Sequence, residues 1–328
     1  MSTTQASLPK AVREGAATTS ILRRSNFAVA VIVGLLLVFA VTTPAFLTYE
    51  NFRSAIGSAA LTGTVAVGLT FITLSGNFLP LSVEQSATSV AISLAIALNA
   101  GLPVPLALLV AVVVALIVGA VQGYVVSLGA NPIIVTLGAG AAIAGIVAAV
   151  TGNRALTVDA TLLRWLGDAS LLGVPISTWI FLAITVVATI FSRHHRRGVE
   201  VRLMGENKAA ARASGLSVPF LTILAFVLAT LAIAVVAILS VSSFGRASTD
   251  QFTGLTFNAI AAVLLGGTAL QGGLGSPMRS AFGAVFVALL INMLSLREFS
   301  YGARLLVEGI VVVAAVSYYR VRSKAVQK

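Results

Sequence analysis

The chain has 328 residues, 58% of them hydrophobic and only 9% charged, with 21 Lys+Arg against 10 Asp+Glu and a net charge of +11. A soluble domain carries about 25% charged residues, so this composition, with a mean hydropathy of +1.03, excludes an ordinary soluble protein and implies an integral membrane one. The lack of cysteine excludes disulfides, thiolate nucleophiles and cysteine metal sites, and the basic excess lies between apolar runs, where membrane topology accounts for it better than nucleic acid does.

The first 26 residues are polar and include Lys10, Arg13, Arg23 and Arg24. They read as a disordered cytoplasmic tail (1–26) ahead of an uncleaved first helix, not as a signal peptide. Apolar runs near the roughly 20 residues that span a bilayer follow at 27–47, 53–74, 79–98, 103–121, 131–150, 174–192, 217–242, 250–270, 279–295 and 303–319. The expectation is an all-α, polytopic membrane protein of about ten transmembrane helices. Residues 27–319 form one transmembrane domain with a basic loop at 193–216, and 320–328 form a second tail. The stretch Ser75–Pro80 reads either as a loop or as a break within the membrane.

An even span count places both termini on one side. If that side is cytoplasmic, all but six of the 21 Lys+Arg (Arg53, Arg154, Arg164, Arg246, Arg297 and Arg304) lie on it, as the positive-inside bias requires. Gly119-x-x-x-Gly123 and Ala141-x-x-x-Gly145 have the small-residue spacing that lets helices approach closely in lipid, and they predict packing seams. The loop 151–173, with Arg164, Trp165 and Asp168, lies on the opposite side.

The chain has no Gly-Lys dipeptide and hence no phosphate-cradling P-loop. The glycines Gly266, Gly267, Gly272, Gly273 and Gly275 read as turn and close-packing positions. His194 and His195 sit in the basic loop without carboxylates around them, so no metal site, cofactor or catalytic residue is expected, and the chain does not read as an enzyme. Ionisable groups within spans are functional candidates by default, and two acids qualify. Glu308 follows Arg304 by four residues, which predicts a local ion pair on one helix face. Glu84 has no such neighbour; with Ser82 and Gln85 it makes its segment polar on several sides and is a candidate for a water-filled pathway.

The stretch Arg193–Val218 stands apart from everything around it. Lys208–Ser214 (KAAARAS) is a helix former by propensity. Gly205 and Asn207 suggest a turn leading into it, and Gly215 a C-terminal cap. Two or three turns are marginal in water, so this helix is expected to pack on a partner or on the transmembrane domain.

Here the chain resembles a known family. Gly205-x-Asn207-x-x-Ala210-x-x-x-x-Gly215 is similar to the coupling-helix signature of permease subunits in ribose-type ATP-binding-cassette (ABC) importers. Asn131–Gly138 resembles the family's "pPFIVTLG" segment, and Asn258–Thr268 with Gln271–Ser276 its "dAIAAvviGGts…GGrGs" run. The resemblance covers essentially 27–319. It implies the ABC importer permease fold and a homodimer or heterodimer with a second permease. It also implies separate cytoplasmic ATPase subunits and an extracytoplasmic solute-binding protein. On this reading Gly205, Asn207, Lys208, Ala209, Ala210, Arg212 and Gly215 carry ATPase coupling. Ser82, Glu84, Gln85, Asn131, Thr136 and Asn258 are candidates for the translocation pathway, and the protein is a multi-pass protein of the bacterial inner membrane.

Two departures stand out. The family pattern "GGIDLSVG" is replaced by Asn77–Glu84, with Pro80 for the acid and Glu84 for the final glycine. The pattern "yELdAIAA" is replaced by a run beginning Leu255-Thr256-Phe257-Asn258-Ala259, without the glutamate. These put the usual monosaccharide cargo in question more than the transport mechanism. The alternative expectation is an ATP-independent secondary transporter or channel with Glu84 as its coupling group.

Overall fold

A computed structural model of the chain describes Gly34 and residues 43–159, 163–167, 169–268 and 272–326. The expected tail 1–26, most of the first expected span and Asp168 lie outside them. The chain divides into two compact units, 1–51 and 52–328. In the first, a 3-10 turn at Pro44–Leu47 is tied by Asn51 Nδ2 donating to Phe46 O at 3.0 Å.

The helices in chain order are α1 (Tyr49–Leu74), α2 (Val83–Asn99), α3 (Val104–Ser127), α4 (Pro132–Thr151), α5 (Arg164–Gly167), α6 (Ile176–His194), α7 (Arg196–Glu206), α8 (Lys208–Ala213), α9 (Val218–Phe244), α10 (Leu255–Leu265), α11 (Pro277–Leu296) and α12 (Tyr301–Val326). Six of them, α1, α3, α4, α6, α9 and α11, are long and apolar enough to cross a membrane. The expected segments 79–98, 250–270 and 303–319 also contain helix. However, α2 has 17 residues and α10 only 11, and at 1.5 Å per residue α10 is about 16 Å long, half the hydrocarbon thickness. Two antiparallel two-residue ladders complete the fold, β1 (Leu156–Thr157) with β4 (Arg246–Ala247) and β2 (Ser170–Leu171) with β3 (Val174–Pro175). The basic loop was expected to hold one helix and holds two, α7 and α8.

Local signals set the ends of these elements. Prolines stand in the first turns of α3, α4, α9 and α11, where no intrahelical N–H is lost and the fixed φ suits a helix. Left-handed Gly152 and Gly245 close α4 and α9.

Packing rests on small side chains, because lipid offers no hydrophobic drive between helices and close backbone approach must substitute for it. Ala107, Ala111 and Ala115 are buried on α3 and lie in line with Gly119 and Gly123. A Cβ on Gly119 would sit 3.0 Å from the Val227 Cα, and one on Gly123 2.8 Å from the Ile223 Cα. The predicted seam therefore exists, as the end of a longer small-residue stripe against α9. The second one does not form among the described residues. Ala141 and Gly145 are exposed and nothing lies within 4 Å of a Cβ on Gly145. The outward faces of α3, α4 and α6 carry exposed Leu109, Ile117, Ile134, Ile146, Val187 and Ile190, the surface a lipid-facing helix presents.

Candidate functional site

The break after α1 is irregular but mostly buried, with Phe78 exposed. Ser75, Asn77, Leu79, Pro80 and Ser82 are all buried, and irregular backbone at membrane depth is tolerated only where protein covers it and satisfies its polar groups. Several of those groups have partners within the fold. The N–H of Asn77 donates to Ile72 O at 3.2 Å, Ser75 Oγ donates to Ile72 O at 2.6 Å, and the N–H of Leu81 donates to Thr136 Oγ1 at 3.1 Å. Thr136 in turn donates to Pro132 O at 2.9 Å.

Ser82 Oγ donates to Gln122 Oε1 at 3.0 Å. A Cβ on Gly140 would lie 3.3 Å from Gln85 Oε1 and 3.6 Å from Ser82 Cβ, so the glycine lets α4 close over this pair. Ser82, Gln85 and Thr136 are thus brought together, joined by Gln122, which the motif comparison missed although it is a lone amide in an apolar helix. Gln85 Oε1 and Gln122 Nε2 are buried without a partner among the described residues. Asn131 does not join them. It is exposed and caps α4, its Oδ1 accepting from the Ile133 N–H at 2.9 Å.

Glu84, in the first turn of α2, is engaged with the start of α10. Its Oε1 accepts from the N–H groups of Gly254 at 3.1 Å and Thr256 at 3.3 Å. Its own N–H donates to Thr256 Oγ1 at 3.3 Å. This is a reciprocal cap, of the kind that a Ser/Thr and an acid three residues apart make within one helix, assembled here from two helices. It is needed because the N-cap of α10 is Gly254, at φ +86° and without a side chain to satisfy the helix's first N–H groups. The negative charge also matches the positive end of the helix dipole. The two departures from the family pattern therefore meet in space. The carboxylate absent at 256 is delivered to the same helix start from position 84.

The other acid of the expected spans converges on the same turn. With its amide nitrogen facing Glu308, an orientation assigned from the hydrogen-bond network, Asn258 donates to both Glu308 carboxylate oxygens at 3.0 Å and to Gly254 O at 3.3 Å. The expected Arg304–Glu308 ion pair does not form. Arg304 Nη1 donates to Ser295 Oγ at 2.5 Å, while Glu308 is buried against α10. Helical spacing permits an i,i+4 contact, but the Asn258 amide fixes the carboxylate elsewhere. Glu200 forms ion pairs instead with Arg196 (2.9 Å) and Arg197 (2.8 Å) in the basic loop.

At the basic loop, α8 spans Lys208–Ala213, one residue short of the expected Lys208–Ser214, with Ser214 as its C-cap. Asn207 is its N-cap, with Oδ1 accepting from the N–H groups of Ala209 and Ala210, both at 3.0 Å. Its end is a Schellman turn. Gly215 is at φ +79°, its N–H donates to Arg212 O and the Leu216 N–H to Ala211 O, each at 3.0 Å. Leu216 packs on a cluster of Leu74, Val201, Met204, Ala211, Val218 and Leu221. Ala209, Ala210, Arg212 and Ala213 face outward.

Two residues of the coupling set behave differently from expectation. Gly205 is no turn; it lies inside α7, where its bare Cα meets Leu74 O and leaves a Cβ only 2.8 Å from the Gly273 N. Lys208 points inward, donating from Nζ to Asn77 Oδ1 at 2.9 Å. Burial, and secondarily the charge of Arg212, lower its pKa from the usual lysine value.

His195 caps α7, its Nδ1 accepting from the Arg197 N–H at 3.3 Å, and its ring stacks on Phe191. Glu200, which sequence reasoning passed over, is held below the usual carboxylate pKa chiefly by the Arg197 hydrogen bond. Among the described residues no cluster of metal-ligating side chains occurs.

Membrane-length helices packed through small residues around a buried polar break, with a capped helix offered on a basic loop, define a polytopic membrane transport protein. The family described as "Branched-chain amino acid transport system / permease component" matches residues 51–316, and the chain belongs to it. It is 33% identical to the probable ABC transporter permease protein YphD of Escherichia coli K12, over 87% of this chain and 86% of that one. It is 30% identical to the ribose import permease protein RbsC of the same strain, over 87% and 91%. It is 28% identical to the L-arabinose transport system permease protein AraH, over 89% and 91%. No solved structure matches the chain.

Proposed function

We propose that this chain is the membrane-spanning subunit of an ATP-driven importer for a sugar or similar small neutral polar solute. It pairs with itself or a sister permease in the bacterial inner membrane, with both termini cytoplasmic. Separate ATPase subunits dock on its basic loop, and a solute-binding protein delivers cargo from the other side. The observation that carries the reading is α8. A six-residue helix cannot stand alone in water, yet this one is capped at both ends, anchored through Ala211 and Leu216, and turns a small-residue face outward.

The family description names amino acids, whereas RbsC and AraH are named for sugars. The polar seam favours a neutral polyhydroxyl solute for this chain. The start of α10, where a short helix could hold an anionic group, is filled by Glu84, and Glu308 adds a second carboxyl beside it. Neither acid has a cationic partner among the described residues. The unmet amide groups of Gln85 and Gln122 offer an acceptor and a donor, which a hydroxyl complements in both directions. The engagement of Glu84 as a helix cap supports this reading over a secondary transporter that would cycle a proton on it.

The experiment is Ala210→Asp. Membrane insertion should be unchanged, while copurification of an ATPase and ATP-dependent uptake of labelled ribose or arabinose by cells are lost. An ATPase that stays bound to the variant overturns the docking role, and uptake by the purified chain alone in liposomes without ATP overturns the importer.

A further inference from the structure

The side chain of Lys208 has no function in the proposed docking face, because it leaves that face and enters the bundle. Its Nζ reaches Asn77 Oδ1 at 2.9 Å, and Asn77 Nδ2 donates to Ser75 Oγ at 2.8 Å. Ser75 and Asn77 are both buried, so the hydrogen bond sits where water competes weakly and each lost partner is costly. Three glycine contacts lie beside it. A Cβ on Gly76 would be 3.1 Å from the Gly205 Cα, one on Gly272 2.8 Å from Gly205 O, and one on Gly273 2.8 Å from the Glu206 N. The Gly273 N–H also donates to Leu74 O at 3.4 Å. The end of α1, the end of α7 and the stretch of chain before α11 are thus in close backbone contact, with the Glu206 side-chain stem beside Gly273.

Packed backbone moves as a unit, since interiors are bistable rather than continuously deformable. The segment clasped in this way, 75–82, leads directly to Ser82 and Glu84. From these contacts we infer that Lys208 is a positioning residue that ties α8 to the break 75–82, so that displacement of α8 by its ATPase is delivered to the polar seam through Asn77. This rests on the importer reading. It divides α8 by role: Ala209, Ala210 and Arg212 meet the partner, and Lys208 carries the movement inward.

The chain's lack of cysteine makes the test direct. Phe78 lies in the break and is exposed, so Phe78→Cys reports on it. In the complex purified with its ATPase, maleimide reactivity of this cysteine should change several-fold on trapping with ATP and vanadate. Lys208→Met and Asn77→Leu should abolish that change while leaving the ATPase bound, and Lys208→Arg should retain it. A response that persists in both Lys208→Met and Asn77→Leu, or that is absent from the parent with ATPase bound, overturns the linkage. Failure of the parent to bind any ATPase overturns the importer reading, and the linkage with it.

Discussion

Glu84 and Thr256 hold each other reciprocally, the Glu84 carboxylate accepting from the Thr256 N–H and the Thr256 hydroxyl accepting from the Glu84 N–H, both at 3.3 Å. The residues are 172 positions apart, and neither one's sequence surroundings point to the other. Together they end the need of α10 for an N-cap that Gly254 cannot supply.

Removing that cap should cost stability. Glu84→Ala should lower the melting temperature in detergent by an amount equivalent to about 1–2 kcal/mol, and Glu84→Gln, which keeps an acceptor, by less. Glu84→Gly should be repaired in part by adding Thr256→Glu, since the carboxylate then returns to the same turn from within α10. A double variant no more stable than Glu84→Gly would show that the carboxylate's position is not what matters.

Asn207→Ala removes the acceptor of two N–H groups in a helix of only six residues. About 1 kcal/mol is expected from a lost cap, enough to fray most of so short a helix. Amide hydrogen exchange at residues 209–213 should accelerate several-fold while α9 is unaffected.

Gly205→Ala should destabilise by about 1–3 kcal/mol, the usual range for overpacking, because the new methyl meets Leu74 O and the backbone of Gly273. Gly215→Ala has open space around it and incurs only the strain of φ +79°, about 1 kcal/mol. Thermal melting of the two variants should rank them in that order.

Glu200 gives the basic loop a pH dependence. Its folded-state pKa lies below the ordinary 4.5, chiefly through Arg197. Its contribution is therefore fully present above about pH 4.5 and is lost as the pH falls through the lowered value. Limited proteolysis of the loop should increase over that acidic interval, and Glu200→Gln should make cleavage insensitive to pH there.

A single-cysteine pair checks orientation. Cysteine at Asn207 should resist an impermeant reagent applied to intact cells, while cysteine at exposed Ser170 should react; the opposite pattern would invert the topology.

What the sequence determined by itself is what depends on local, repetitive physics. Hydrophobic run length marked the segments that became α1, α3, α4, α6, α9 and α11. The Asn207–Gly215 pattern gave α8 to within one residue, because caps and a left-handed glycine act only on their own helix. Family motifs identified the permease class. Sequence length could not separate a spanning helix from the short α2 and α10, since an apolar run does not reveal where its backbone breaks. Nor could it assign α7, whose pattern is polar. Only the tertiary structure decided which polar groups meet. It turned Glu308 from Arg304 to Asn258, set Glu84 on the start of α10, left Asn131 as an isolated cap and turned Lys208 inward to Asn77. A buried polar group takes whichever partner the packing brings within about 3 Å, and these partners lie 50 to 172 positions away in the chain.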